Sequence, residues 1–578
     1  MMKKLFSILL ATVCVMSSTT LFACSSNDED PSKSTKTVIT VMTDDCGYGD
    51  SWLTEIKTQF ESKYENVSFE EGKVGVTVVA SKSTEAKGTA VLNGLKADVV
   101  FCNGLQTAAT VNKTLIRDIS DVIDGTFETA VTDINGNVVD IVDGGKTIED
   151  KMYAEQIAAG KALDGKYYSA PWIMGMSSIS YNADLWEQKK LYFAESDGFK
   201  PYQTSTYTGQ AYTGRGFIES AQQQKSVGPD GVRNTYDDGM PSSYEEFLYL
   251  INYMEKDKGV APFIVANPGS WHYTNYIFSA ALPALAGKEA MSVNYNLQTE
   301  QGKTFSIISG FNGANPIVDK VEIDESTGYL TSQMAEKYYV LDLMQKIYSN
   351  SSNMSNYSGK SHTEVQYYYV NSVIKQGEKP IAMIIDGNHW YNEVPHSKKD
   401  TVNFKTLPMP RQLTGSVNEG AGSALSMLVG NVSVIVNSSI ASVATEKVAK
   451  LFVRFALTDD MIKMTNKVSS MPLALKYDLA TAEYNALSSY GKDLWTVYKD
   501  MLENDSVVFC VSDKTTLLNN PAYFSAATDS YFWTGTETSG NSLAYLDFKN
   551  NTKSAKDYFQ DMWIDATEWS RDFYTSAK

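Results

Sequence analysis

A glycine-rich loop near the middle of the chain carries several oxygen-bearing side chains. Within the segment 228–239 these are Asp230, Asn234, Asp237 and Asp238. Carboxylate and amide oxygens on a tightly turned loop suit Ca²⁺, although the spacing is not that of an EF-hand. We therefore expect either a structural calcium ion that holds the loop in place or a solvated Asp-Gly turn without metal.

Residues that commonly carry enzyme chemistry are few. The four histidines, at positions 272, 362, 389 and 396, stand in no zinc-protease motif, and the sequence has no nucleophile-elbow, Walker or dinucleotide-binding glycine motif. Cys46, Cys102 and Cys510 are widely spaced and lack partners at zinc-ligand spacing. We expect no enzyme and no required cofactor. Paired carboxylates for glycoside hydrolysis would leave no local signature, so a glycan hydrolase stays open as an alternative.

The composition favours binding through flat, amphipathic surfaces. The 578 residues include 50 Lys+Arg against 68 Asp+Glu, a net charge of −18, with 35 Tyr and 9 Trp. A negative charge without a long basic run argues against nucleic acid as a partner, because phosphate binding needs a concentrated positive field. The length allows more than one buried core.

The start of the chain is typical of an export signal. Lys3 and Lys4 precede an apolar run, and Leu21-Phe22-Ala23-Cys24 resembles a bacterial lipobox, in which the Cys becomes the lipidated first residue. We expect residues 1–23 to be a lipoprotein signal peptide and the polar residues 24–36 to be a flexible tether. Lipid on Cys24 would anchor the protein outside the cytoplasm, on the bacterial cell membrane. An ordinary cleaved signal is the alternative.

The elements after the tether predict a parallel sheet. Thr37–Met42, Val76–Ala80 and Ala97–Cys102 are β-branched or apolar runs typical of strands, and apolar residues recur at spacings of three and four from Leu53 to Tyr64, as on one face of a helix. Strands that alternate with helices form parallel sheets with crossover connections. Ligands bind such sheets at the carboxyl ends of the strands, here near 43–49 and 103–107.

Later segments add further elements. Pro241–Glu246 has the serine cap and acidic first turn of a helix start, Pro380–Ile385 is typical of a buried strand, and Leu425–Val436 is another apolar stretch. Residues 191–240 show no clear period and are interpreted as an insertion or a long loop. The apolar spacing from Tyr558 to Phe573 predicts a closing amphipathic helix.

In their order, these segments resemble the extracellular solute-binding proteins of carbohydrate ABC transporters (family 1, the maltose-binding type). The resemblance rests on residues 39–42 with 58–65, 96–101, 165–171 with 181–185, 377–390 and the helix 446–455. It implies an α/β fold of two lobes, of the type II periplasmic-binding-protein kind, with mostly parallel sheets and a hinge. It also implies that each lobe is discontinuous. We expect residues 37–170 plus 422–470 in the N-terminal lobe and 171–421 plus 471–578 in the C-terminal lobe.

The same resemblance implies a monomeric receptor. It would capture a sugar or oligosaccharide between the lobes and deliver it to the permease subunits of an ABC importer. Two alternatives stay open: a surface-anchored lipoprotein that binds or hydrolyses glycans, and a peptide or amino-acid receptor on the same scaffold. The second would need a charged partner for the ligand, and Arg233, Arg411 and Arg454 are the arginines to inspect.

A sugar site needs aromatic rings and fixed amide or carboxylate groups. The resemblance places a stacking ring at Trp390 and a ligand-binding acid at Asp45; further candidates are Asn103, Trp172, Trp271 and Asn388. Each has a structural alternative as a core, turn or capping residue. If Trp390 contacts the ligand, Trp390→Ala should abolish the stabilisation by ligand and leave the unliganded melt almost unchanged. Cys46 and Cys102 replace residues of the maltose-binding pattern, so maltodextrin is not the expected ligand.

Overall fold

The computed structural model describes most of the chain. The described residues are 34–44, 47–83, 97–103, 114–176, 178–196, 198–200, 212, 214–265, 273, 276–350, 360–372, 379–394, 399–413, 425–428, 432–440, 442–514 and 543–574.

The strands and helices of these residues alternate through most of the chain. The strands are β1 (Thr37–Asp44), β2 (Val76–Ser83), β3 (Val99–Asn103), β4 (Ala170–Pro171), β5 (Gly175–Met176), β6 (Ile179–Asn182), β7 (Ala261–Val265), β8 (Phe305–Asn312), β9 (Asn315–Val321), β10 (Ile381–Ile385), β11 (Phe404–Thr406), β12 (Leu425–Leu428), β13 (Val432–Val436) and β14 (Val507–Phe509). The helices are α1 (Ser51–Lys63), α2 (Ser120–Asp124), α3 (Thr126–Ala130), α4 (Ile148–Lys151), α5 (Ala154–Gly160), α6 (Ala183–Lys189), α7 (Tyr244–Lys256), α8 (Tyr276–Asn296), α9 (Ala335–Tyr348), α10 (His362–Asn371), α11 (Trp390–Glu393), α12 (Val443–Ala456), α13 (Asp459–Ser469), α14 (Thr481–Asn485), α15 (Ser489–Glu503), α16 (Leu543–Asn550), α17 (Ala555–Asp561) and α18 (Ala566–Glu568). A 3₁₀ helix covers Gly328–Gln333 and a π-helical segment covers Trp569–Tyr574.

The first sheet has five strands in the order β2-β1-β3-β13-β4. β1 is parallel to both β2 and β3, whereas β13 returns from much later in the chain and pairs antiparallel with β3 and β4. In β1 buried and half-buried residues alternate, and Ile39 and Val41 are fully buried. Successive side chains of a strand point to opposite faces of the sheet, so this alternation places one face of β1 on a core.

The second sheet has four strands in the order β11-β6-β10-β7. β10 is parallel to β7 and antiparallel to β6, and all five of its residues are buried. A strand covered on both faces is a continuous apolar run, as Ile381–Ile385 is. A three-stranded sheet (β14-β12-β5) and the hairpin β8-β9 complete the strand pairing of the described residues.

The buried apolar side chains form two large clusters. One contains Ile39 and Trp52 beside the first sheet and also Ile384 and Trp390 of the second. The other contains Phe263 of β7, Tyr249 of α7 and the late helix residue Tyr558. The late helices therefore belong to the same core as the central part of the chain.

A buried group of charges ties α12 to the segment before β4. From α12, Arg454 donates through Nη1 to Oδ2 of Asp143 (2.9 Å), through Nη2 to the carbonyl of Lys146 (2.7 Å), and through Nε to Glu128. Nζ of Lys151 donates to the same Asp143 oxygen at 2.5 Å. Because buried charges need partners, this group fixes the returning helix against residues 128–151.

Most of the predicted elements are confirmed. The predicted helix is α1, which ends at Lys63 with Tyr64 as its C-cap; Val76–Ala80 lies in β2, and Ser243 caps α7 by accepting a hydrogen bond from the amide of Glu246 at 3.2 Å. The second predicted crossover helix falls on residues 84–96, outside the described residues.

Two segments differ from the prediction. The apolar stretch Leu425–Val436 contributes two strands to two different sheets, β12 and β13. The closing helix is broken into α17, α18 and a π-helical segment, because Asp565 caps a new helix start by accepting from the amides of Thr567 and Glu568. The α/β fold class is confirmed, although the two larger sheets are mixed in strand direction.

The segment 191–240 contains only isolated bridges in the residues the structure describes. Phe217 joins it to α7, with its ring stacked on that of Tyr253 at 3.9 Å between centroids. Across the described part of the chain, no helix is long and apolar enough to cross a membrane.

Candidate functional site

The first and second sheets meet where β1 and β10 end. β1 ends at Asp44, and Asp386 directly follows β10. Gly47 lies so close to the loop after β10 that an added Cβ would be 2.5 Å from Cδ2 of His389 and 2.9 Å from Oε1 of Glu393. The carboxyl ends of parallel strands are where α/β sheets bind ligands.

We call this contact the junction site. It comprises Gly47, Tyr48, Gln366, Asp386, His389 and Glu393.

Two carboxylates of the junction site share one amide. Nε2 of Gln366, on α10, donates to Oδ2 of Asp386 at 2.9 Å and also to Oε2 of Glu393. Asp386 is fully buried, and burial raises its pKa well above the ordinary range; the charge of Glu393 adds to this effect. The Gln366 amide and the amide of Gly387 act in the opposite direction. The raised pKa favours the protonated form of Asp386, and a cationic donor that reached this carboxyl group would favour its ionised form.

Two imidazole rings flank these carboxylates. Nε2 of His389 is 3.6 Å from Oδ1 of Asp386, and Nε2 of His362 is 3.6 Å from Oε1 of Glu393. Burial lowers the pKa of His389, and Glu393 only partly offsets this. Within the described residues, neither carboxylate forms an ion pair with a Lys or Arg.

Aromatic rings line the same place. The ring of Tyr48 lies 5.9 Å from that of His389, and the ring of Tyr276 lies 6.0 Å from it on another element. Tyr273 stacks on His362 at 5.9 Å, with 15° between the ring planes. Burial, and then the charge of Asp386, raise the pKa of both Tyr273 and Tyr276. The rings therefore face a region of negative potential.

Several buried polar atoms at the site have no hydrogen-bond partner among the described residues: Oδ1 of Asp386, Oε1 of Gln366 and Nδ2 of Asn388. All three side chains are fully buried. Asn388 uses only its Oδ1, which accepts from the amide of Met176 at 3.3 Å. Native proteins rarely leave such atoms unpaired. Because they are covered in this structure, a polar solute could reach these two acceptors and one donor only when the contact between the two sheets opens.

Trp390 lies in the core of this structure, and its contact with a ligand stays a prediction. This ring is fully buried and packs edge-to-face against Phe404 (5.0 Å) and Tyr369 (5.5 Å). Its Nε1 donates to Oγ of Ser180 at 2.9 Å. Because neighbours cover the ring, it offers no face to a sugar in this structure.

Trp172 is also a core residue here. It is fully buried and lies 5.1 Å from Trp52 and 5.0 Å from Phe101, measured between ring centroids. The structural alternative that we gave for it is the arrangement found.

The other predicted ligand contacts are placed only in part. Asn388 lies beside the junction site, next to His389. Asn103 ends β3 and pairs with Val432 through the backbone. Asp45 and Trp271 lie outside the described residues. Their contact with a ligand stays a prediction.

Gln366, Asp386, His389 and Glu393 were not predicted as site residues. Gln366 reaches the site from a helix that precedes β10, and no local motif marks it. His389 and Glu393 follow a buried strand that ends in Asp386-Gly387, which is the one signal that could have identified them.

The acidic loop turns its carboxylates towards its own backbone. Asp237 accepts from the amide of Asp230 (2.9 Å) and from the hydroxyl of Thr235 (2.8 Å), and Asp238 accepts from the amide of Asn234 (2.9 Å). Burial raises the pKa of Asp237 to about 6. No group of three His, Cys, Asp or Glu side chains in the described ranges is arranged to hold a metal ion. Calcium binding at Asp230, Asn234, Asp237 and Asp238 stays a prediction.

No protein-family model matches the sequence, and no curated protein matches it. Solved structures of other proteins do match the fold of this chain. The solute-binding protein RafE in complex with raffinose has a TM-score of 0.50 and 14% identity, and the match covers 91% of this chain and 100% of that one. A chitin oligosaccharide binding protein also has a TM-score of 0.50, with 12% identity over 93% of this chain and 99% of that one.

At this level of identity the likeness concerns the fold. The chain has the two-lobed α/β fold of these solute-binding proteins, as the resemblance in the sequence implied. The bounds of the two lobes stay a prediction.

Proposed function

We propose that the chain is a lipid-anchored receptor that captures a sugar or oligosaccharide between its lobes and delivers it to an ABC importer. The observation that carries this proposal is the junction site, where the carboxyl ends of β1 and β10 bring unpaired buried polar atoms together with aromatic rings. Hydroxyl groups that donate and accept would satisfy those atoms, and the rings suit the apolar face of a sugar.

The similar structures support the same ligand class. By their names, one of those proteins was solved with raffinose and the other binds chitin oligosaccharides. We extend only the general class, a carbohydrate, to this chain. Because the fold hosts different ligands, the particular sugar has to be argued from the site.

Binding would act on the contact between the ends of the first and second sheets. Gly47 and Tyr48 come from the first sheet, whereas His389 and Glu393 come from the second. A solute that contacts both sides would favour the closed state by its difference in affinity for the closed and open forms. The closed form presents a different surface from the open form, and permease subunits could distinguish the two.

The first experiment is a thermal-shift screen. The soluble form without residues 1–24 is heated with neutral mono- and oligosaccharides. A ligand at 100 times its dissociation constant should add about 2.7 kcal/mol to the free energy of unfolding. Chromatography of the sugar after incubation separates a receptor from a hydrolase, since a receptor returns it unchanged. Cleaved sugar would replace the proposal with the hydrolytic alternative, and a panel without any stabilising sugar would contradict it.

The lipid anchor is tested separately. The full chain, expressed in a bacterium fed labelled palmitate, should carry label, and Cys24→Ser should carry none and leave the membrane fraction. Label on the Cys24→Ser variant would contradict the assignment of the lipid site.

A further inference from the structure

We propose that the solute bound at the junction site carries a protonated amine, the class that includes hexosamines and the oligosaccharides built from them. This inference rests on the proposed function and narrows the class of ligand. It is carried by the charge of the site, by the kind of polar atom left unpaired there, and by the aromatic rings around them.

The charges of the site are unbalanced. Asp386 and Glu393 both contact Nε2 of Gln366, so their carboxyl groups lie close together. Asp386 lies 3.6 Å from Nε2 of His389 and Glu393 lies 3.6 Å from Nε2 of His362, and neither forms an ion pair with a Lys or Arg in the described ranges. Two adjacent carboxylates without a permanent cation are costly when buried. Without a cation, burial and the charge of Glu393 favour the neutral form of Asp386, whereas a bound ammonium would allow both groups to be ionised.

The unpaired atoms are mainly acceptors. Oδ1 of Asp386 and Oε1 of Gln366 are buried and lack donors among the described residues. An ammonium group has three donors and no acceptor, so it can satisfy both atoms at once. A hydroxyl group has only one donor. The unpaired donor Nδ2 of Asn388 needs an acceptor, which a sugar hydroxyl provides.

The aromatic rings favour the same group. The rings of Tyr48 and Tyr276 lie 5.9 and 6.0 Å from that of His389, and Tyr273 stacks on His362. Cations are attracted to the faces of aromatic rings, by about 0.5–2 kcal/mol according to burial. Rings alone would suit any sugar. Rings beside two carboxylates suit a cationic one.

Two of the three arginines considered for a ligand carboxylate are bonded to acids away from the junction site, and the third lies near the acidic loop. Arg454 is bonded to Asp143 and Glu128, and Arg233 to Glu195. Arg411 acts on the charge of Asp237 in the acidic loop. A ligand carboxylate would therefore meet the acids of the junction site without an arginine from this set.

The test compares sugars that differ in one substituent. Calorimetric titration of the soluble form uses glucosamine, galactosamine and mannosamine, each with its 2-hydroxy and its N-acetyl counterpart, and a chitosan tetramer beside cellotetraose and the N-acetylated tetramer. The pH is kept where the free amines are protonated. We expect the amine of at least one series to bind at least about tenfold more tightly than both counterparts, as charge-assisted hydrogen bonds do.

Variants at the junction site test which residues determine the preference for the amine. Glu393→Gln removes one charge with little change in shape and should cancel most of the preference for the amine, with a smaller effect on a neutral sugar. Glu155→Gln removes a carboxylate from an exposed position on α5. It should change neither the preference for the amine nor the affinity for a neutral sugar. Thermal melts of both variants show whether they are folded, and Asp386→Asn serves as a second variant at the site.

The outcomes separate this inference from the proposed function. Neutral sugars that bind as tightly as their amines would overturn the inference and leave the sugar receptor standing. An amine preference that survives in both Glu393→Gln and Asp386→Asn would also overturn it, because the charge would then lie elsewhere. If no sugar of either kind binds, both proposals fail.

Discussion

Gly47 lies against the imidazole of His389, and this contact joins the end of β1 to the loop after β10. A Cβ at position 47 would be 2.5 Å from Cδ2 of His389 and 3.0 Å from Cγ. Carbon atoms cannot approach so closely without a shift of one of them. The two sides of the junction site can therefore meet as they do only while position 47 has no side chain.

Gly47→Ala should hold the junction site partly open. The added methyl group must displace His389, which lowers the affinity for a bridging solute by about tenfold or more, since a ligand that needs the closed form binds less when that form is less populated. Calorimetric titration with the best sugar of the screen measures the change.

Gly310→Ala is the matched control, because a Cβ there would meet only Cδ1 of Ile317, at an ordinary 3.8 Å. Its affinity should equal that of the unaltered protein. Removing the obstructing ring in Gly47→Ala/His389→Ala should restore part of the closure. Unchanged affinity in Gly47→Ala would show that solute binding does not require this contact.

Asp386→Asn should stabilise the unliganded protein and weaken binding. The pKa of buried Asp386 is raised, so its ionised form is a burden on the fold at neutral pH. An amide keeps the shape without the charge, and we expect a gain of about 1–3 kcal/mol in the free energy of unfolding, measured in urea near pH 7. Asp257→Asn, at an exposed position, should show no such gain.

The stability gained in Asp386→Asn should become smaller as the pH falls. The folded-state pKa of Asp386 lies above its unfolded value, so the penalty is present above the folded pKa and disappears as the pH falls towards about 3.8. Charging buried His389 below about pH 6.5 destabilises both proteins and largely cancels in the comparison. A gain that persists at the lowest pH would contradict burial of the charge as its cause.

Trp390→Ala should destabilise the unliganded protein by about 3–5 kcal/mol, because it leaves a large cavity among Phe404, Tyr369 and Tyr490. The hydrogen bond from Nε1 to Ser180 is lost as well. Urea unfolding without ligand measures the change. A melt that stays near that of the unaltered protein would restore the original expectation that Trp390 contacts ligand.

Arg454→Met should cost roughly 3–5 kcal/mol, since it removes one of the two cations that contact buried Asp143 among the described residues and deprives Glu128 of its partner. Arg233→Met breaks an ion pair with Glu195 that is about half exposed, and should cost at most about 1 kcal/mol. Urea unfolding of both variants gives the comparison. Equal costs would mean that burial of the Arg454 group does not determine its contribution.

The early strands could be predicted because their own residues determine them. Ile39 and Val41 alternate with less buried neighbours, and the run Ile381–Ile385 is apolar throughout, so local pattern and final burial agree. The partner of β3 could not be predicted in this way. Its neighbour β13 comes from a second apolar stretch far along the chain, and nothing within either strand specifies the pairing.

The place of the junction site at the ends of β1 and β10 could be predicted more readily than its residues. The ends of β1 and β10 follow from the pattern of strands, and Asp386-Gly387-Asn388 directly follows a buried run. Whether Trp390 faces a ligand or a core depends on Tyr490, which arrives on α15 about 100 residues later. Gln366 is a site residue only because α10 lies over β10. The sequence of neither element by itself indicates that the two pack together.

The late arrival of β13 has a consequence for how the protein matures. Sγ of Cys102 donates to the carbonyl of Ser433, 331 positions further along, within the first sheet. Until the ribosome has made Val432–Val436, β3 has no partner on that side, and pairing over such a distance is slow. Any product truncated before residue 432 would therefore expose an open strand edge to aggregation.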